Sequence, residues 1–199
     1  MNYREKIEAY IRREALPVDK YGHQPRLYAL TRLVGEGSAY DDDVVHAAVW
    51  LHDLGVFYGH RPADLEELKA WDSVKYAMER VPALLTEFGF PVEKIEAVVE
   101  AIRTHQPSGT PVAAEGVILR DADILEQLDA IAVLRTVSKV GRDTRFYRFT
   151  EAASNLRMMM ETLPALIKLK TTRALAAPKI AALEVFLSAV EAESHGALE

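Results

Sequence analysis

Residues 44–56 read VVHAAVWLHDLGV, and this run limits what the chain can become. It is an apolar helical stretch that carries an imidazole and a carboxylate side by side, His52 and Asp53. Burying such a pair without partners costs on the order of several kcal/mol. The fold must therefore bring compensating groups to this helix. The candidates are His23 upstream and His105, Asp121 and Asp123 downstream, each on its own expected helix.

The spacing of apolar residues is helical almost throughout. Ile7, Tyr10 and Ile11 mark a first helix ended by Pro17; Leu27, Leu30 and Val34 mark a second, closed by Gly35 and Gly37. Asp41 to Asp43 supply a cap and a negative first turn for the third, which suits the helix dipole. That helix runs through Val45, Ala48, Val49 and His52 and stops near Gly55. GVFYGHRPAD reads as a loop by its Gly and Pro content. Further helices are predicted over 64–80, 92–105, 115–140 and 148–161, and another after Pro164. Pro178 should kink or divide that last one. No segment alternates with period two, so no sheet is expected. The reading is one all-α domain spanning 1–199.

Composition narrows the function. At 199 residues the chain can bury one good core, and 49% hydrophobic with 27% charged residues is ordinary for a globular protein. No segment approaches the roughly 18 apolar residues of a membrane span, and the N-terminus lacks the apolar stretch of a secretory signal. The absence of cysteine removes disulfides, thiolate metal sites and cysteine nucleophiles, and suits a reducing cytoplasm, the expected location. The net charge of −6 argues against general nucleic-acid binding, so phosphate chemistry belongs in a local pocket.

Imidazole and carboxylate ligands together suit divalent ions such as Mn, Mg, Fe or Zn. His52 and Asp53 are about 100° apart around a helix, so at a helix end both can reach one ion. His23 could approach from the preceding helix and one acid of RDADIL from a later one. His46 lies about 240° around from His52 and is read as a surface or packing residue. His60 is read as a solvated loop residue and His195 as part of the tail. Asp121 and Asp123 are about 200° apart, and apolar spacing leaves open which of them points inward.

The ordered pattern HQPRL (His23, Arg26), AAVWLHDLG (His52, Asp53), AIRTH (His105) and LRDADILEQLDAIAVLRT resembles the HD-domain superfamily of metal-dependent phosphohydrolases. It is most similar to bacterial HD phosphohydrolases with a DADRLD motif followed by a hydrophobic helix and an Arg-Thr pair. The resemblance covers roughly residues 19–140, the expected metal-site core, with C-terminal helices over about 148–195. It implies an HD-domain helical bundle with one divalent metal ion held by His23, His52, Asp53 and Asp123. Asp121 becomes a supporting or surface acid. Arg26 and His105 would assist with the phosphate, and Asp53 counts among the catalytic groups.

The implied activity is hydrolysis of a phosphate ester or anhydride in a small, nucleotide-like molecule by metal-activated water; an oligomer is compatible with it. One departure stands out. Many HD hydrolases place an acid a few residues after His-Asp, whereas here Leu54 to His60 contain none and Asp64 is the first carboxylate. Asp53, Asp64, Asp72 or His60 would have to act as base. The departure keeps two alternatives open: an HD-fold hydratase or lyase acting on a small nitrile-like substrate, and a non-catalytic module binding a nucleotide or partner.

Overall fold

The computed structural model describes residues 1–142 and 145–199, and among these no strand occurs. A single isolated bridge joins Tyr58 and Arg61. The all-α expectation holds. The chain divides into two compact units, Met1–Arg120 and Asp121–Glu199.

The first unit contains α1 (Tyr3–Glu14), α2 (His23–Val34), α3 (Asp42–Leu51), α4 (Leu65–Lys69), α5 (Ser73–Phe88), α6 (Ile95–Thr104) and the first half of α7 (Ala114–Gln127). Helix α3 is its axis. Every residue from Val44 to Leu51 is buried, because α1, α2 and α6 all pack on it. A helix with no solvated face carries no polar stripe, so its polar groups gather at its two ends.

At the N-terminal end, Asp41 accepts the amides of Asp43 and Val44. The Arg4 guanidinium forks onto Asp42 and Asp43 at 2.8 and 2.6 Å. Lys94 bridges Asp41 and Asp43 at 2.8 and 2.9 Å, and the Tyr28 hydroxyl donates to Asp42. Three acids at a helix N-terminus interact favourably with its dipole. Here they also tie α1, α2 and the turn before α6 to the start of α3. Burial alone would raise the Asp43 carboxyl, but hydrogen bonds from Arg4, Lys94 and Tyr3 outweigh it and hold it far below the carboxylate range. Asp41 is likewise lowered, with Lys94 and the Asp43 amide overcoming burial.

The second unit holds the rest of α7, then α8 (Ala130–Val137), α9 (Phe149–Thr162) and α10 (Lys170–Ser194). Leu156 of α9 meets Leu183 and Leu187 of α10, with Val133 of α8 alongside. The predicted helix over 115–140 is two helices, because Asp129 accepts the Ile131 and Ala132 amides and caps α8. The predicted helix over 64–80 is likewise two: Asp64 caps α4, and Asp72, after a break at Ala70, caps α5. Pro178 does not divide α10, which continues through it for 25 residues.

Asp121 is fully buried, and its two carboxylate oxygens accept the backbone amides of Lys168 and Leu169 at 3.1 and 2.8 Å. Leu169 is the N-cap of α10, so this acid substitutes for a capping side chain. It is not a surface group. No described helix is long and apolar enough to cross a membrane.

Because the folded carboxyls of Asp41 and Asp43 lie below their unfolded value of about 3.9, their contribution is complete above that pH and is lost on acidification. Urea unfolding should thus show stability falling below about pH 4. Asp43→Asn should flatten that fall by up to about one proton's worth of slope. An unchanged slope would show that this cluster does not govern acid lability.

Candidate metal centre

The C-terminal end of α3 carries the second polar group. His52 is the C-cap of α3, and its Nδ1–H donates to the Val49 carbonyl at 2.8 Å. This bond assigns the tautomer and leaves a lone pair on Nε2. Asp53 leaves helical geometry (φ −94°, ψ 13°) and starts the 3-10 turn Leu54–Val56. The departure from the helix lets two adjacent side chains converge. His23, the first residue of α2, closes the set.

The distances are those of a common ligand group. His23 Nε2 lies 3.2 Å from His52 Nε2 and 3.6 Å from Asp53 Oδ2, His52 Nε2 lies 3.6 Å from Asp53 Oδ1, and the three residues each offer a ligand atom within 4.8 Å of the others. Two atoms each about 2.1 Å from one ion stand about 3.0 Å apart at a right angle and about 3.4 Å apart at the tetrahedral angle. The two nitrogens fall in that range and the Asp53 oxygens stand just outside it, a group that could hold one divalent ion. Both imidazoles are buried, at 3% and 2% exposure, while the Asp53 side chain is 27% exposed. The rings form the floor and the carboxylate the accessible edge.

His105 repeats the construction of His52. It is the C-cap of α6, and its Nδ1–H donates to the Ile102 carbonyl at 2.6 Å. Its buried ring meets the His52 ring edge-on with centroids 4.8 Å apart. Arg26, one turn along α2 from His23, lays its guanidinium over Gly22. A Cβ on Gly22 would stand 2.6 Å from Arg26 Nη1, so that glycine clears space for the cation.

The turn after Asp53 is fastened to α5. A Cβ on Gly55 would lie 2.5 Å from the Ser73 carbonyl oxygen, and Trp71 Nε1–H donates to the Gly55 carbonyl at 2.8 Å. His60 is not solvated as expected. Its Nε2–H donates to Glu14 at 3.1 Å, and its Nδ1 accepts from the Tyr76 hydroxyl at 2.9 Å, which staples the loop to α1 and α5. Asp64 and Asp72 are exposed helix caps. His46 is a buried packing residue that donates through Nε2 to Glu8 at 2.9 Å. Its pKa is lowered, burial being the main cause. Arg61 lies over the Tyr58 ring, Lys75 is exposed on α5, and Arg135 pairs with the buried Glu126.

The structure thus brings together His23, His52 and Asp53, with His105 against them. Asp123 lies on the part of α7 that belongs to the second unit. It is half-buried and accepts a hydrogen bond from Gln127 at 3.0 Å. One residue escaped the sequence reading: Arg120, only 4% exposed, whose signal is a basic residue inside the apolar run GVILRDADIL.

No family model matches the sequence, and no curated protein matches it. Solved structures do match it. Bacillus subtilis YpgQ in complex with ADP is 20% identical, with 97% of this chain and 98% of that one covered at a TM-score of 0.71. A predicted HD-superfamily hydrolase from an uncultured Thermotogales bacterium is 23% identical over 96% and 93%, with a TM-score of 0.65. An HD-superfamily hydrolase from Bacillus thuringiensis is 17% identical over 97% of each chain, with a TM-score of 0.70. At these identities the likeness establishes architecture, and it runs nearly end to end. With an all-helical chain and a His, His-Asp cluster at the end of its central helix, this protein has the fold of the HD-superfamily hydrolases.

Proposed function

We propose that this chain is a metal-dependent hydrolase of a phosphate ester or anhydride in a small, nucleotide-like molecule. The observation that carries the reading is the convergence of ligand atoms of His23, His52 and Asp53 within 4.8 Å of one another, with the His52 tautomer already set. The HD-superfamily hydrolase neighbours support the reaction class, and the ADP complex of YpgQ supports a nucleotide-like ligand. His23, His52 and Asp53 would hold one divalent ion. Asp123 is proposed as the fourth ligand on the sequence pattern, a choice supported by the engagement of both Asp121 oxygens with backbone amides. A divalent ion at this position supplies Lewis acidity toward a phosphoryl oxygen and lowers the pKa of water.

The protein's own groups divide the remaining work. With His60 held by Glu14 and Tyr76, and Asp64 and Asp72 spent on helix caps, the accessible Asp53 carboxylate and Nε2 of His105 are the proton acceptors at the cluster. Nε2 of His105 is an acceptor because Nδ1 holds the proton. Arg26 supplies positive charge toward a phosphate. The cytoplasm, where a chain without cysteine is stable to redox chemistry, is the proposed location.

Metal analysis of the purified protein should find about one divalent ion per chain, and a screen of phosphorylated metabolites should find metal-dependent phosphate release. His52→Ala and Asp53→Ala should each lose the ion; full metal content in both would sink the assignment. Folding of each variant is checked by circular dichroism. Asp123→Ala should lose metal, whereas Asp121→Ala should keep it and melt lower, by about 1–3 kcal/mol for unmade buried hydrogen bonds. Arg26→Ala should keep metal and weaken substrate use by about ten- to a hundredfold, the worth of a charged hydrogen bond. His105→Ala should lower kcat by about a hundredfold or more with metal retained. Hydration of a nitrile without phosphate release would favour the lyase alternative, and silence across both substrate sets would favour a binding module.

A further inference from the structure

Arg120 is a buried cation that forms no ion pair among the described residues. It sits on α7 beside Ile118 and Leu119, which are 1% and 0% exposed, and is itself 4% exposed. Its Nη2–H donates to the Pro107 carbonyl at 2.9 Å, and its Nε has no acceptor. Among the described residues no carboxylate stands within ion-pair distance of it. Asp121, next in the chain, spends both oxygens on the amides of Lys168 and Leu169. A guanidinium does not deprotonate in proteins, so it cannot escape burial as a lysine or histidine can. Removing such a charge from water without a partner is strongly unfavourable.

The bond to Pro107 does not account for the charge. One N–H suffices for a carbonyl, and a neutral glutamine could supply it. What remains is a planar donor fork with an unneutralised charge, the group best matched to a phosphate. Its anchor places it. Pro107 lies two residues beyond His105, whose ring packs on His52. The segment between is tight: the Gly109 amide donates to the Gln106 carbonyl, and a Cβ on Gly109 would fall 2.3 Å from the Thr104 oxygen. The guanidinium is therefore tied to the backbone segment that leaves the histidine cluster.

We infer that Arg120 receives an anionic phosphoryl group, so that the substrate supplies the counter-charge that the fold omits. The inference rests on the proposed phosphate chemistry for its substrate, but its test does not depend on turnover. The probes are inorganic phosphate, ADP and adenosine, added to the full chain with and without a divalent ion; the readouts are melting temperature, affinity by calorimetry and metal content. Phosphate and ADP should raise the melting temperature of the wild-type protein even without metal, and adenosine should not. Arg120→Met should melt above the wild type in the absence of phosphate, because an unpaired buried charge is gone, and should no longer respond to phosphate. Arg120→Gln should keep the Pro107 bond and the metal while binding ADP about tenfold or more weakly. A response to ADP that greatly exceeds that to phosphate identifies the nucleotide as the source of the anion, and equal responses identify the free ion. Equal phosphate responses in Arg120→Gln and the wild type would overturn the inference, as would adenosine acting like ADP. Should both neutral variants fail to fold, Arg120→Lys decides: it keeps the charge and loses the fork, and an unchanged phosphate affinity would overturn the assignment. A wild-type protein that takes no metal yet shows these anion effects would instead overturn the metal-dependent reading and leave Arg120 as an anion site.

Discussion

A helix buried on every side can place hydrogen-bonding side chains without penalty only where its backbone ladder ends, and α3 largely follows that constraint. Between Val44 and Leu51 the exceptions are His46, whose Nε2 bonds Glu8 while its Nδ1 is left without a partner, and Trp50, whose indole N–H is likewise unpaired. The ends differ in kind. The N-terminal end collects carboxylates that Arg4, Lys94 and Tyr28 neutralise or bond, so that α1, α2 and the approach to α6 are fixed around it. The C-terminal end offers free carbonyls, and one of them, Val49, orients the ring of His52. Position and tautomer of the central imidazole thus follow from how the helix finishes.

The same device recurs at the end of α6. A histidine in the capping position turns its Nδ1–H back onto the carbonyl three residues earlier and presents Nε2 outward. Because α6 packs on α3, the two rings meet edge to face. Two helix ends, each obeying a local rule, therefore bring two imidazoles into contact. Asp53 joins them only because the chain leaves helical geometry at that residue.

Much of this was legible in the residues. Helical spacing gave the all-α class, the HD dipeptide in an apolar run marked the candidate cluster, and the angle between His46 and His52 separated a packing histidine from a member of that cluster. Other features depend on contacts distant in sequence. Asp121 caps a helix that begins nearly fifty residues later, which no local pattern reveals. His60 looked solvated because its loop is polar, yet its partners are Glu14 and Tyr76 on separate helices. Pro178 is tolerated within α10 although local rules forecast a kink or a break. Arg120 drew no notice because a single basic residue is unremarkable until, among the described residues, no carboxylate is found within ion-pair distance of it.

The absence of a side chain at Gly55 has a mechanical consequence. Its backbone lies directly against that of Ser73, and the Trp71 indole holds the same carbonyl. No compressible layer separates the turn that follows Asp53 from the first residues of α5. Asp53 thus rides on two helices at once, and any displacement at the head of α5 is delivered to its carboxylate undamped.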